Sequence, residues 1–220
     1  VTLMTTKKKY FKEELDEACG VYSVDGKTAV GKTHTLAIPY ICAGVLKGFL
    51  FRRVDSDDKP KYLANFALDR RSVFFNYPEQ GSSVIAVVEG EMDALTATAA
   101  GIPGVVAIGG SEIAGERKHQ VEVALASGTR SIILCPDLDS TTTEDGTVVP
   151  DHAKRLKAVM HSVHTIKDID IEFDSIYVTV FDEPTDPDEF IRKRGGDAFI
   201  KLLRDALPWW EYVYKVKSKR

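Results

Sequence analysis

With 220 residues, 44% hydrophobic and 28% charged, the chain is long enough for one large domain or two small ones and has an ordinary globular composition. No apolar run approaches the ~20 residues of a membrane helix, and no secretory leader opens the sequence. The three cysteines, Cys19, Cys42 and Cys135, are too far apart for a zinc module or disulfide framework, which fits a reducing cytoplasmic setting, and the net charge of −4 argues against a general nucleic-acid coat.

In chain order, residues 7–18 read as an amphipathic helix ended by Gly20. Strand-like pieces follow at 34–40, 45–53 and 73–76, with a turn at 57–60. Residues 1–82 are therefore expected to form a small α+β unit. A first residue of Val1 rather than Met leads to the expectation of a piece of a longer polypeptide or a processed chain.

From Ser83 the pattern becomes a regular alternation of strand and helix. Val84–Val88 is a short unbroken apolar run, the signature of a strand buried on both faces. A helix at 91–100 follows, then a strand at 105–108, the Gly109-Gly110-Ser111 loop and a helix at 116–126. A strand at 131–135, a polar loop at 137–150, a helix at 151–161 and a strand at 176–181 complete the unit. The expected fold class is α/β: a mainly parallel sheet at 83–183 covered by helices on both faces. A C-terminal segment at 184–220 has short helices at 187–194 and 197–206.

Three of these strands end in carboxylates. The first gives Glu89, with Asp93 close by; the next gives Asp137 and Asp139; the last gives Asp182 and Glu183, with Asp186 and Asp188 after them. Strand carboxyl ends in open α/β sheets border the ligand crevice. Carboxylates gathered there repel unless a cation neutralises them. Without His or Cys, the donors suit hard ions such as Mg²⁺ or Mn²⁺, and two ions can clamp the oxygens of a phosphoryl transfer. Structural roles compete with this reading: Asp186-Pro187-Asp188-Glu189 has the form of a helix N-cap, Asp93 suits a helix N-terminus, and Glu91 reads as a solvated helix residue. Between Lys47 and Arg71, seven Lys/Arg face four Asp, a basic stretch suited to phosphates.

Gly26-Lys27-Thr28-Ala29-Val30-Gly31-Lys32-Thr33 matches the Walker A pattern letter for letter. A phosphate-binding loop needs a buried strand before it and a helix after it. Here a strand with Pro39 comes next, so the match is read as a coincidence.

Glu89-Gly90-Glu91-Met92-Asp93 and Asp137-Leu138-Asp139 resemble the Glu and Asp-x-Asp motifs of the TOPRIM domain shared by primases, topoisomerases and some nucleases. The flanks narrow the resemblance. Ile38-Pro39-Tyr40, the Gly44 to Phe49 run with Arg52, and Lys59-Pro60-Lys61-Tyr62-Leu63 are similar to the segment before TOPRIM in bacterial and phage replicative primases. Asp186-Pro187-Asp188-Glu189-Phe190-Ile191-Arg192-Lys193 with Gly195 is similar to the primase pattern after it.

The resemblance implies a DNA primase core, from a phage or mobile element, making short RNA primers from NTPs on single-stranded DNA. It implies Glu89, Asp137 and Asp139 as catalytic, metal-holding carboxylates for two or more ions, with Asp93 and Asp186 assisting. Arg52, Lys61 and Tyr62 would contact nucleic acid or triphosphate. A replicative helicase would be met only through regions absent from this chain. Two departures stand out: Thr35 where the family often has a basic residue, and Thr141-Thr142 with a polar insertion to Pro150 after Asp-x-Asp. The alternatives are a TOPRIM nuclease using the same carboxylates, and a non-catalytic module that binds single-stranded DNA or docks a partner, with Trp209-Trp210 as a contact.

Overall fold

A computed structural model of the chain describes residues 22–23, 33–54, 56, 58–64, 68–169 and 175–218. The expected helix at 7–18 and all of the Walker-like run except Thr33 lie outside these residues. The element just after that run, Leu36–Cys42, is a strand.

Among the described residues there are two larger sheets and one two-stranded hairpin. The first is antiparallel, ordered β1 (Tyr22–Ser23), β2 (Leu36–Cys42), β3 (Val45–Arg52), β4 (Tyr62–Ala64). Ala43 and Gly44, at φ 49° and 73°, form the two-residue loop of the β2–β3 hairpin. Positive φ at both positions is the turn that matches strand twist.

The second sheet comprises β5 (Val84–Val88), β6 (Val105–Ala107), β7 (Ser131–Leu134), β10 (Ile176–Val178) and β11 (Leu207–Pro208). Its spatial order is β11-β10-β7-β5-β6, parallel except at β11. Strand periodicity explains its two buried faces. Ala86 and Val88 of β5 join one core with α1 (Glu91–Ala99), α4 (Pro187–Arg194), α5 (Gly196–Arg204) and the inner side of the first sheet. Ile85 and Val87 join the other with α2 (Lys118–Ala126), α3 (His152–Lys167) and α6 (Trp209–Lys217). The expected mainly parallel α/β architecture is thus present.

Several expectations need correction. Residues 73–76 form no strand; Phe75 makes a single antiparallel bridge to Ala107, at 2.9 and 3.1 Å. Asn76 N then donates to Ile41 O and Ala43 N to Tyr77 O, both at 3.0 Å, so residues 75–77 join the two sheets. The polar loop at 137–150 contains a hairpin, β8 (Ser140–Thr142) and β9 (Val148–Pro150), turned at Asp145-Gly146. The helix expected at 151–161 runs on to Lys167 because Val163 and Ile166 continue its buried stripe. After α5 come β11 and α6, two elements the sequence reading lacked. Trp209 packs against the core, whereas Trp210 is half exposed.

Candidate active site

Topology decides where the acidic strand ends go. β5 leads through α1 to β6 on one side; α2 then carries the chain back past β5 to β7, and α3 leads on to β10. The order reverses between β5 and β7, so the crevice outside their carboxyl ends is the switch point where such sheets bind ligands. Glu89 follows β5 and Asp137 follows β7. They meet there: Asp137 N donates to Glu89 Oε1 at 3.2 Å.

Backbone pairing brings in a third carboxylate. Leu138 and Thr185 exchange both backbone hydrogen bonds, at 3.0 and 2.9 Å. Asp186, the next residue, lines one cavity with Glu89, Asp93 and Asp137. It also caps α4, accepting from Glu189 N at 2.6 Å with Pro187 at N1, so the expected capping role is present in a residue that borders the cavity. Asp93 is tied by both oxygens to backbone: Gly90 N at 3.0 Å and Asp188 N at 3.2 Å.

Burial dominates the electrostatics. It pushes Glu89 up to about 7, opposed by the hydrogen bond from Asp137 and reinforced by Asp139. It pushes Asp137 up to about 8, with the charges of Glu89, Asp186 and Asp139 adding to the effect. Asp93 is held well above the carboxylate range by burial and then by Asp137. Asp137 Oδ1 is buried without a hydrogen-bond partner. Desolvated carboxylates crowded together mark a place where a cation would relieve real cost.

The remaining acids behave differently. Asp139 is exposed and pairs with Lys154 Nζ at 2.5 Å, outside the cavity lining. Asp182 and Glu183 pair with Arg194 at 3.2 and 3.0 Å, and Glu183 also with Lys193 at 2.8 Å, so this strand end does not feed the cavity. Glu91, expected in solvent, is buried: Arg70 Nε and Nη2 donate to its Oε1 at 2.9 and 2.5 Å. Among the described residues no group of three acidic, His or Cys side chains is arranged to hold a metal ion by itself.

Across the cavity, of about 350 Å³, stand Arg52, Lys61 and Tyr62, all named from the sequence. Arg52 Nη1 donates to Tyr62 Oη at 2.5 Å, and its guanidinium lies 5.2 Å from the Tyr62 ring centroid. Arg70, 5.9 Å from the same ring, completes this wall and was not singled out. Its only signal was membership of the basic stretch, which it shares with Arg71, an exposed partner of Glu116. Gly109, Gly110 and Ser111 close the rim. At Gly109, φ 64°, a Cβ would stand 3.0 Å from Arg70 Nη2 and 3.1 Å from Glu91 Oε1, so glycine lets this loop lie against the buried ion pair.

Residues 83–165 match the Toprim domain family. Over 187 residues the chain is 25% identical to a DNA primase of Listeria innocua, covering 80% of this chain and 26% of that protein. The chain spans about a quarter of the length of the curated relatives it matches. Among solved structures, the DnaG primase catalytic domain bound to ssDNA superposes with a TM-score of 0.63 at 20% identity, over 82% of this chain and 55% of that one. The RNA polymerase domain of Mycobacterium tuberculosis primase DnaG gives 0.62 at 22%, over 92% and 65%.

Proposed function

We propose, from the chain's standing as a Toprim-containing relative of the DNA primases, that it is a primase catalytic core, a nucleotidyltransferase joining ribonucleotides on a single-stranded DNA template. The observation that carries the reading is the meeting of Glu89 and Asp137 at the switch point, opposite Arg52, Lys61, Tyr62 and Arg70 across one cavity. An acidic wall facing a basic one is what a phosphate-bearing substrate shared with cations requires. In a division into 1–82, 83–183 and 184–220, Arg52, Lys61, Tyr62 and Arg70 come from the first part, Glu89, Asp93 and Asp137 from the second and Asp186 from the third.

The donor set suits a hard divalent cation: carboxylate oxygens, one buried without a partner, and no His or Cys among them. Glu89 and Asp137 would hold it, with Asp139, Asp93 and Asp186 assisting; Mg²⁺ or Mn²⁺, two or more ions, are the candidates. When bound, such ions supply positive charge for the α-phosphate and the attacking 3′-hydroxyl. No three side chains among the described residues form a ready cage, so an ion held by Glu89 and Asp137 would need further oxygen donors such as substrate phosphates and water. Arg52 and Arg70 offer planar donors to phosphate oxygens, Lys61 a point charge, and Tyr62 a ring face for a base. The protein's contribution is placement and fixed charge. Coupling to a replicative helicase would use regions outside this chain.

Primer extension tests the reading. The purified chain with Mg²⁺ or Mn²⁺, template and NTPs should lengthen an annealed primer, and Asp137→Ala should lower the rate by at least ~10²-fold, the scale of a lost electrostatic stabiliser. Equal extension by Asp137→Ala removes this site. Metal-dependent DNA degradation without NTPs would instead favour a nuclease.

A further inference from the structure

A second cavity, of about 410 Å³, opens between the N-terminal end of α3, the residues after β10, and α6. That volume lies within the ~300–1,000 Å³ of small-molecule pockets. Val180, Phe181, Val216 and the Tyr212 ring make its walls mainly apolar. It shares no residue with the acidic cavity.

Arg155 is the residue that demands an explanation. It is 3% exposed, yet lines the cavity. Its Nε donates to Pro136 O and its Nη2 to Thr179 Oγ1, both at 3.1 Å. The guanidinium lies 5.0 Å from the Phe181 centroid and 5.7 Å from that of Tyr212. Among the described residues it forms no salt bridge. A buried guanidinium whose direct contacts are neutral acceptors and rings, with Asp137 acting on it only through space, is a place where an anion entering the cavity would be stabilised. Beside it stands Tyr212, 1% exposed, its hydroxyl close enough to feel the Arg155 guanidinium.

The rest of the lining supports the same sign. Lys215 stands at the cavity, and its acidic residue, Asp182, is engaged by Arg194 at 3.2 Å. We propose that this cavity is a binding site for a small aryl anion, its negative head on Arg155 and Tyr212 Oη and its ring against Phe181, Val180 and Val216. Occupancy reaches the acidic site by one backbone step, because Arg155 holds Pro136 O and Asp137 is the next residue.

The probe is 8-anilinonaphthalene-1-sulfonate, with the neutral N-phenyl-1-naphthylamine as its uncharged counterpart, titrated into the full chain by fluorescence. The sulfonate should bind one to one, and Arg155→Gln should weaken it at least ~10-fold, a loss of ~1.4 kcal/mol, while leaving the neutral probe unchanged. Val216→Trp, which fills the cavity from a partly exposed helix position, should abolish binding of both probes without lowering the melting temperature. In ¹⁵N-labelled protein, saturation should shift the Asp137 and Thr179 amides. Undiminished sulfonate binding by Val216→Trp, or still Asp137 and Thr179 amides at saturation, overturns the proposal. Should Arg155→Gln fail to fold, the Val216→Trp titration and the amide shifts decide alone.

Discussion

Replacing Asp137 by Asn should make the metal-free protein more stable, and increasingly so as pH rises. An unfolded aspartate titrates near ~3.9, whereas burial and neighbouring carboxylates bring Asp137 to about 8 in the fold. The folded state therefore binds this proton more tightly, and stability is lost as pH climbs from ~4 toward 8. At ~1.4 kcal/mol per unit the ceiling on that loss is ~1.5 kcal/mol at pH 5 and ~5–6 kcal/mol at pH 8. Asn keeps the backbone N–H that Glu89 accepts and removes the charge. Relaxation around the site and the shared proton load of Glu89 absorb part of the difference, so the advantage of Asp137→Asn should grow by ~1–3 kcal/mol between pH 5 and pH 8. Urea unfolding in EDTA at the two pH values measures it. Added Mg²⁺ should restore the parent at pH 8 and leave the variant unmoved. An advantage of equal size at both pH values, or Mg²⁺ stabilising both proteins alike, refutes the argument.

Asp188→Ala strips a buried carboxylate that accepts from Arg192 Nε at 2.7 Å and Thr96 Oγ1 at 2.6 Å, tying α4 to α1. Arg192 retains some solvent access, so the expected cost is ~2–4 kcal/mol, read as a fall of ~4–16 °C in melting temperature. Lys154→Ala breaks an exposed ion pair and should change stability by less than ~1 kcal/mol, while removing a cation that competes for Asp139 and lowering the Mg²⁺ concentration for half-maximal extension. Joining Ser140 to Pro150 through Gly-Gly in place of residues 141–149 should leave the melting temperature within ~2 °C, because Asp151 N already donates to Asp139 O at 2.8 Å across the hairpin base. A larger drop would give the insertion a structural role.

Legibility followed the physics of each signal. Val84–Val88 was readable because a strand buried on both faces needs an unbroken apolar run, and Glu89 and Asp137 followed as the ends of neighbouring strands. Glu91 was misread because nothing local distinguishes a solvated helix glutamate from one paired with Arg70, 21 residues away in sequence. Asp139 was placed with Asp137 by adjacency, yet its side chain turns to Lys154 across an insertion of unknown shape from sequence alone. The hairpin in that insertion carried a usable sign, Asp145-Gly146 between Thr and Val residues, which the polar composition obscured. The helix at Trp209–Lys217 hid for a different reason: its buried stripe is narrow, resting chiefly on Tyr212, while Trp210 and Tyr214 face outward.

The short segment from Phe75 to Tyr77 bears on how the two walls of the acidic cavity can move. One wall belongs to the antiparallel sheet and the other to the parallel sheet, and this segment is hydrogen-bonded into both. Asn76 adds a side-chain bond to Thr98 on α1 at 2.9 Å, holding its own backbone at φ 61°. The two walls are thus riveted at a shared seam, and the seam amides of Ala43, Phe75, Asn76 and Ala107 should exchange with solvent as one slow group.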